Sequence, residues 1–487
     1  MNTRTILLAL SMLSGCAVGP DYHRPDVTTP DAYKEAGDWK PAEPKDETPR
    51  GNWWEIYDDT DLNALVAQVA ISNQNVLAAA AQYRQAMALL GVAQAGYYPT
   101  LSGSLSGSRA QGTSSSTIGA SAAASGAPIL NTTRLAYAAS WEADLWGHIG
   151  RNVEANEGST QASAADLQSA LLSAQATLVQ TYVQLRANDA QQRLLEQTIA
   201  AYERSRQITR NRYEAGVAGR VDVAQAETQL KSTQAQAIDL GVQRAQFEHA
   251  IAVLIGKAPA NFQLQPTNGM PTLPAVPAAL PSALLERRPD IAGAERRMAA
   301  ANAQIGVAQA AFFPALTFSS AGGYQNSSLS QLMTLPNRFW SIGPALALTL
   351  FDAGARSAQK ESALAAYDKS VASYRQTVLA AFQEVEDNLA ALRLLANEAV
   401  LQQEATQSAT EALALTENQY QAGTVSYLNV VTAQATALGA QRSNLDIASR
   451  RVLANAVLLK ALGGDWQKGA TSAGPIVVYP NAATAPE

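Results

Sequence analysis

Residues 355–422 read ARSAQKESALAAYDKSVASYRQTVLAAFQEVEDNLAALRLLANEAVLQQEATQSATEALALTENQYQA, which is 68 residues without glycine or proline. Gly354 and Gly423 flank the stretch, and most residues between them are strong helix formers. Apolar residues recur in alternating steps of three and four, at Leu379, Phe382, Val385, Leu389, Leu392, Ala396 and Ala399. The stretch therefore predicts one helix of about 100 Å. Taken alone, it is also compatible with a cytosolic coiled-coil rod.

The chain contains a second copy of this pattern. Residues 159–215 form another stretch without glycine or proline, and YEAGV at 213–217 matches YQAGT at 420–424. Further back, GVAQA occurs at both 91–95 and 306–310. Because the offset stays near 205 to 215 residues, we interpret the chain as a tandem duplication of one unit of about 200 residues. Each unit reads as a helix, a short strand pair, a very long helix, a turn and a long helix.

Charge and chemistry-bearing residues exclude several classes of function. Lys and Arg total 35 against 41 Asp and Glu, a net charge of −6 without a basic cluster, which argues against a nucleic-acid partner. The three histidines, His23, His148 and His249, lack metal-ligand spacing. No phosphate-binding glycine loop or nucleophile motif is found. We therefore expect no catalytic residues, no metal and no cofactor, and the chain does not read as an enzyme.

The N-terminus carries an export signal. A positively charged start and an apolar run from Ile6 to Leu13 precede Leu13-Ser14-Gly15-Cys16, which contains the only cysteine. We interpret residues 1–15 as a lipoprotein signal peptide. Cys16 would then carry a covalent lipid, an N-palmitoyl group and an S-diacylglycerol group, that anchors the mature chain. Ala17 in place of an acidic residue implies sorting to the outer membrane.

Two regions show the period-two alternation of strands. The first comprises 101–107 and 135–146, and the second comprises 316–324 and 340–350. Such alternation with aromatic residues near the ends is typical of outer-membrane strands. Four strands cannot close a barrel, since about eight are the minimum, so a membrane location requires subunits to pool strands. Three subunits would give twelve. The alternative is a soluble sheet that caps a helical bundle.

These features predict the domain boundaries. After the signal peptide, residues 16–52 form a lipidated, extended segment that we expect to lie along the body of the protein. Residues 53–258 form the first structural repeat, with Asp61 as the cap of its first helix. An inter-repeat linker follows at 259–286. The second structural repeat comprises residues 287–464, with Asp290 as the cap of its first helix, and residues 465–487 form a flexible tail.

Several motifs resemble the TolC-type outer-membrane channels. They are Asn52-Trp53-Trp54-Glu55, Arg288-Pro289-Asp290-Ile291, Ile305-Gly306-Val307-Ala308 followed by Phe313-Pro314, and the paired Tyr-x-Ala-Gly turns. With the lipobox, the chain is similar to the OprM/NodT lipoprotein branch over essentially its whole mature length. The resemblance implies a mainly α fold with a small β part. Each subunit would give four strands to a twelve-stranded outer-membrane β-barrel, which continues into a long periplasmic α-helical barrel.

The resemblance also implies a function and partners. A homotrimer, anchored in and spanning the bacterial outer membrane, would be the passive exit duct of a tripartite efflux pump. Its partners would be a periplasmic adaptor (membrane fusion) protein, an inner-membrane transporter of RND type and outer-membrane lipid. A TolC-like duct for type I protein secretion shares this architecture and remains the alternative.

In the family, glycine-containing turns form the periplasmic tips. Gly216, Val217, Gly423 and Thr424 hold those positions here, and the resemblance makes them the adaptor contact. The glycines are equally compatible with a role in turning the chain only.

The resemblance likewise implies a periplasmic gate. A tyrosine of the second copy bonds an aspartate of the first in the closed state, and Tyr420 and Asp222 occupy those positions. Family members often carry acidic residues just past the second tip, where this sequence has Asn429 and Thr432. We therefore expect the gate to depend more on Leu428 and on Asp222, without the cation block that a double carboxylate ring gives.

Overall fold

The computed structural model describes residues 18–25, 34, 52–111, 129–267, 269–274 and 288–464. The predicted signal peptide, Cys16 and the C-terminal tail lie outside the described residues, as do most of the extended N-terminal segment and residues 268 and 275–286 of the linker.

Helices dominate the described part of the chain. The helices are α1 (Thr60–Ser72), α2 (Gln74–Ala95), α3 (His148–Glu214), α4 (Arg220–Leu254), α5 (Pro289–Ala310), α6 (Ala355–Gln421) and α7 (Tyr427–Ala461). The strands are β1 (Thr100–Gln111), β2 (Ile129–Ala143), β3 (Ala315–Asn326) and β4 (Arg338–Ala347).

The two copies repeat the same helix lengths. Helices α3 and α6 each have 67 residues, and α4 and α7 each have 35. The long helix predicted from residue 355 is confirmed almost to the residue. Helix α3 begins 11 residues before the predicted start at 159, because Gly150 and Gly158 lie inside it. A Cβ at Gly158 would come within 3.1 Å of the Ala300 Cβ, so this glycine permits close packing of α3 against α5.

The four strands form one antiparallel sheet in the order β1-β2-β3-β4. The predicted strand pairs are therefore confirmed, with shifted ends. Leu145 and Trp146 lie beyond β2, because Asp144 turns the chain and its carboxylate accepts hydrogen bonds from the Ile149 and Gly150 N–H groups at the start of α3. Leu348 and Leu350 likewise lie beyond the end of β4.

The register separates the sheet into two faces, since directly paired residues share a face. The apolar face carries Leu101, Leu105, Leu135, Tyr137, Trp141, Leu316, Phe318, Tyr324, Trp340, Ile342 and Leu346. The polar face carries Ser102, Ser104, Ser106, Ser108, Arg134, Ser140, Glu142, Thr317, Ser319, Gln325, Phe339 and Ser341. Most of the large side chains on the apolar face are exposed to solvent in the single chain, which fits a sheet that faces lipid.

Contacts divide the chain into two compact units, and several long helices contribute residues to both. The first unit holds residues 1–26, 83–163 and 294–374, and includes the sheet. In it, the Val18 N–H donates to the Trp146 carbonyl oxygen at 3.1 Å, and Arg151 pairs with Asp21 at 2.9 Å. Residues 18–25 of the N-terminal segment therefore contact this unit.

The second unit holds residues 27–82, 164–293 and 375–487. Helix α1 packs into its main apolar core, and its cap is Asp59 rather than the predicted Asp61: the Asp59 carboxylate accepts from the Leu62 N–H at 3.0 Å. Asp61 lies in the first turn and pairs with buried Arg186. The core consists mainly of residues from Trp53–Val69, from α3 and from the ends of α4 and α7, among them Trp53, Tyr57, Leu62, Val66, Leu178, Tyr182, Ile251 and Leu459.

The prediction that Asp290 caps the first helix of the second repeat is wrong. Helix α5 begins at Pro289, whose missing N–H suits the first helical position. Asp290 follows inside the first turn, where its carboxylate pairs with Arg288 at 2.8 Å.

By length and composition alone, Thr60–Ala95 is the one described helical stretch apolar enough to cross a membrane. Asn73 interrupts it, because this residue is extended and ends α1.

Candidate gate at the paired helix turns

The two long hairpins of the second unit end in the same turn. Between α3 and α4, Gly216 has φ +74°, and the Val217 N–H donates to the Arg212 carbonyl oxygen at 2.9 Å. Between α6 and α7, Gly423 has φ +81°, and the Thr424 N–H donates to the Gln419 carbonyl oxygen at 3.0 Å. This six-to-one bond after a left-handed glycine is the Schellman motif that ends helices.

The four residues predicted at the tips are all exposed in the single chain. Val217 is the most apolar of them and is 65% exposed. Exposed apolar side chains beside a rigid turn are suited to contact another protein. The structure therefore places these residues at the ends of the hairpins, where the sequence predicts them.

Asp222 and Asn429 occupy equivalent positions in the two copies. Each is the third residue of its helix, α4 or α7. The Asp222 carboxylate accepts from the Gly219 N–H at 3.3 Å, which satisfies one of the free donors at the start of α4. Asp222 is half-buried, whereas Asn429 is exposed.

Tyr420 is buried between two hairpins. Its ring lies edge-on to the Tyr427 ring, with centroids 5.2 Å apart, and only 7% of the residue is exposed. The Tyr427 hydroxyl lies 3.1 Å from the Ser205 hydroxyl, and burial raises the pKa of Tyr427, so it remains protonated at neutral pH. The Tyr420 hydroxyl is buried without a hydrogen-bond partner among the described residues.

The predicted Tyr420–Asp222 hydrogen bond is not formed within the described part of the chain. The carboxylate is occupied by the backbone of its own helix, and the hydroxyl has no acceptor. The bond was predicted for the closed state and stays a prediction for that state.

Arg212 is the residue of this site that sequence reasoning missed. It lies in the last turn of α3, and its Nη1 donates to the Gln421 carbonyl oxygen at 2.9 Å. Its guanidinium carbon lies 4.8 Å from the centroid of the Tyr420 ring. Arg212 therefore ties the end of the first hairpin to the end of the second. Arg212 could have been found from the sequence as a basic residue in the last turn of a predicted helix, since such a side chain can donate to free carbonyl groups at helix ends.

The remaining predicted gate residues line one surface of α7. Leu428, Asn429 and Thr432 are exposed, and the Thr432 hydroxyl donates to the Leu428 carbonyl oxygen at 3.0 Å. This surface bears no carboxylate, because Asn429 and Thr432 replace the acidic residues expected from the family.

A second polar contact joins the hairpins behind the turns. The Tyr202 hydroxyl donates to the Gln434 carbonyl oxygen at 3.3 Å, and the Gln434 amide donates to Glu417 at 3.4 Å. Burial again raises the pKa of Tyr202. Only the Tyr202–Gln434 bond crosses between the hairpins, and because it is long it contributes little to their association; the Gln434–Glu417 bond lies within the second hairpin.

Among the described residues, no group of three or more His, Cys, Asp and Glu side chains is arranged to hold a metal ion. The described site consists of helix turns, aromatic rings and single charges.

A sheet with one apolar face, joined to two hairpins of very long helices, defines a channel protein of the outer membrane. The model of the outer membrane efflux protein family matches residues 65–257 and 280–464, and the chain belongs to this family. The resemblance to TolC-like channels, the fold class and the outer-membrane location are thereby confirmed, together with extension of the channel into the periplasm.

Relatives match the chain over nearly its full length. It is 31% identical over 474 residues to the solvent efflux pump outer membrane protein SrpC of Pseudomonas putida, covering 94% of this chain and 97% of that protein. It is 29% identical over 469 residues to the pyoverdine export outer membrane protein OpmQ of Pseudomonas aeruginosa, covering 96% and 98%. The solved structure of the outer-membrane channel OprN superposes with a TM-score of 0.85 at 28% identity, covering 92% and 99%.

Proposed function

We propose that three copies of this efflux channel protein assemble into one duct, in which each subunit provides four of twelve barrel strands. The observation that carries this proposal is the sheet itself. In the described residues, β1 and β4 are each paired on one side only. In lipid, an open edge leaves backbone groups unsatisfied at several kcal/mol each, so identical copies must complete the sheet.

The duct is the passive exit of a tripartite pump. An inner-membrane transporter of RND type supplies drugs or other small toxic compounds through a periplasmic adaptor, and no energy is transduced and no bond chemistry occurs in the duct. The exposed turns at Gly216, Val217, Gly423 and Thr424 are the adaptor contact. Two relatives of similar sequence are named for different cargo, one for solvent efflux and one for pyoverdine export. This difference supports the view that the partner proteins, rather than the duct, select the cargo.

The gate lies next to these turns. In the closed state Tyr420 bonds Asp222, and Leu428 of each subunit narrows the pore. Movement of α7 relative to α4 opens it. The unpartnered, buried Tyr420 hydroxyl supports this arrangement, because such a group destabilises the state in which it lacks a partner and favours a state in which a carboxylate accepts its hydrogen bond.

A lipid on Cys16, with an N-palmitoyl and an S-diacylglycerol group, anchors each subunit in the outer membrane. Support comes from the residues that follow it. The Val18 N–H bonds the Trp146 carbonyl oxygen just beyond the end of β2, a position that keeps an acylated Cys16 near the membrane strands.

The experiment that tests the proposal uses the full-length protein purified in mild detergent. We expect native mass spectrometry to give a trimer and planar bilayers to show discrete conductance steps. A stable monomer without conductance would overturn the proposal. The protein-secretion alternative is separated by deletion of the gene: efflux predicts increased drug susceptibility with an unchanged set of exported proteins.

A further inference from the structure

The outer half of the sheet contains basic residues and no acidic ones. Between Pro99 and Glu142, and again between Phe313 and Asp352, the sequence has no Asp or Glu but contains Arg109, Arg134 and Arg338. The connections β1–β2 and β3–β4 lie at the end of the sheet away from the helices, and the three arginines lie in the strands near that end. This end faces outward in an outer-membrane channel.

The register places only one of these arginines on the polar face. Arg134 is paired with Ser106 on β1 and with Gln325 on β3. Arg109 is paired with Asn131, and Arg338 with Tyr324, which puts both on the same face as the apolar residues. In a membrane barrel the apolar face contacts lipid and the polar face lines the lumen, so Arg134 is the arginine that faces the pore.

The lumen position of Arg134 is fixed by an aromatic ring. Its guanidinium carbon lies 4.5 Å from the centroid of the Phe339 ring, although β3 lies between the two strands. Gly323 of β3 is paired with both Ala136 and Phe339, and an added Cβ there would overlap the Leu135 carbonyl oxygen. Gly323 therefore permits the close approach of β3 to the backbone of β2 beside this contact.

On the described strands, no acidic residue lies close enough to neutralise this charge. Glu142 is the one carboxylate on the polar face of the described strands. It lies eight residues along β2, about 27 Å from Arg134, which is several Debye lengths at physiological salt. Glu142 also lies 4.0 Å from His148 at the other end of the strand.

From these observations we propose that Arg134 is a specificity-determining residue, and that it makes the outer end of the pore favour anions over cations. The inference rests on the proposed trimer, in which three copies of Arg134 form one ring. Near Arg134 the polar face of the described strands is otherwise uncharged, so three fixed guanidinium groups there concentrate anionic solutes and repel cationic ones. Anionic cargo would be the class that passes this end most easily.

The test measures the reversal potential of purified full-length channels in a KCl gradient. Arg134→Gln should lower the chloride-to-potassium permeability ratio by at least about twofold, and Arg134→Lys should retain most of the wild-type ratio. Arg109→Gln is the matched control, since it removes the same charge at the same end of the sheet from the lipid-facing side. It should leave the ratio unchanged.

An unchanged ratio in Arg134→Gln, or an equal shift in Arg109→Gln, would overturn the inference. If Arg134→Gln forms no channels, Ser106→Glu places a carboxylate directly opposite Arg134 and should produce the same shift; an unchanged ratio in this variant also overturns it. Wild-type protein without any conductance would instead contradict the proposed duct.

Discussion

At the scale of single residues, Arg212 is the contact that holds the two hairpin ends together. It combines a hydrogen bond to the Gln421 carbonyl oxygen with a cation–π contact to Tyr420, each contributing about 0.5–1.5 kcal/mol. The equivalent position of the second copy is Gln419, so the link is made once per chain. We expect Arg212→Gln to weaken the state in which the two hairpin ends are linked and to change the open-to-closed ratio roughly tenfold in single-channel recordings.

Arg210 provides the control for this prediction. It lies two residues before Arg212 in α3, is half exposed, and pairs with Glu214 of its own helix at 3.2 Å. Arg210→Gln removes the same charge from the same turn without breaking a link between hairpins, so the channel should gate like wild type. An equal change of the open-to-closed ratio in both variants would mean that net charge at the tips, rather than the Arg212 contact, determines gating.

At the scale of elements, the start of α5 depends on a buried charge cluster. Arg288 pairs with Asp290 at 2.8 Å and with Glu384 of α6 at 2.7 Å, and bonds the Ala461 carbonyl oxygen at the end of α7. Burial alone would raise the pKa of Asp290, but the hydrogen bond and charge of Arg288 outweigh it and lower the pKa. The cluster therefore joins three helices through one guanidinium group.

This shift predicts a pH-dependent stability. A carboxylate with a lowered pKa stabilises the fold above the pKa it has when unfolded, about 3.9, and loses that contribution as the pH falls through its folded value. Asp290→Asn should therefore lower the free energy of unfolding at pH 7 by about 1 kcal/mol, and thermal unfolding should occur at a lower temperature than in wild type. The loss is this small because the carboxylate is one-third exposed and solvent screens its charge. The difference should vanish in strong acid. Asp446→Asn, which disrupts an exposed 3.9 Å pair, should change little at either pH.

The long helices show what can be predicted from sequence at this scale. Composition and flanking glycines gave α6 nearly to the residue, because nothing inside it contradicts helix propensity. Helix α3 was predicted to start too late, because a glycine such as Gly158 usually marks the end of a helix. In the structure Gly158 lies inside the helix, where close packing against Ala300 leaves no room for a side chain. Arg212 and the Asp59 cap were missed because both depend on contacts formed only after the elements are placed. Asp222 was placed by resemblance and had no independent physical signal.

At the scale of the whole molecule, the alternation of residues in the strands decides what the sheet faces. The residues predicted from sequence to share a face of the sheet do share it in the observed register, because successive side chains of a strand point to opposite faces. What parity alone does not give is the order of the strands. The pairing of β2 with β3 joins the two copies into one sheet, and only the structure shows it.

The two faces lead to a prediction about the assembled channel. Leu105 and Ser104 are neighbours in the middle of β1, both exposed in the single chain, but they lie on the apolar and polar faces respectively. An arginine on the lipid face near the bilayer midplane costs about 2–4 kcal/mol, whereas one in the lumen remains hydrated. Leu105→Arg should therefore lower the midpoint of denaturant unfolding in lipid vesicles, and Ser104→Arg should leave it close to wild type. Equal losses would mean that the two faces share one environment, which a membrane barrel does not allow.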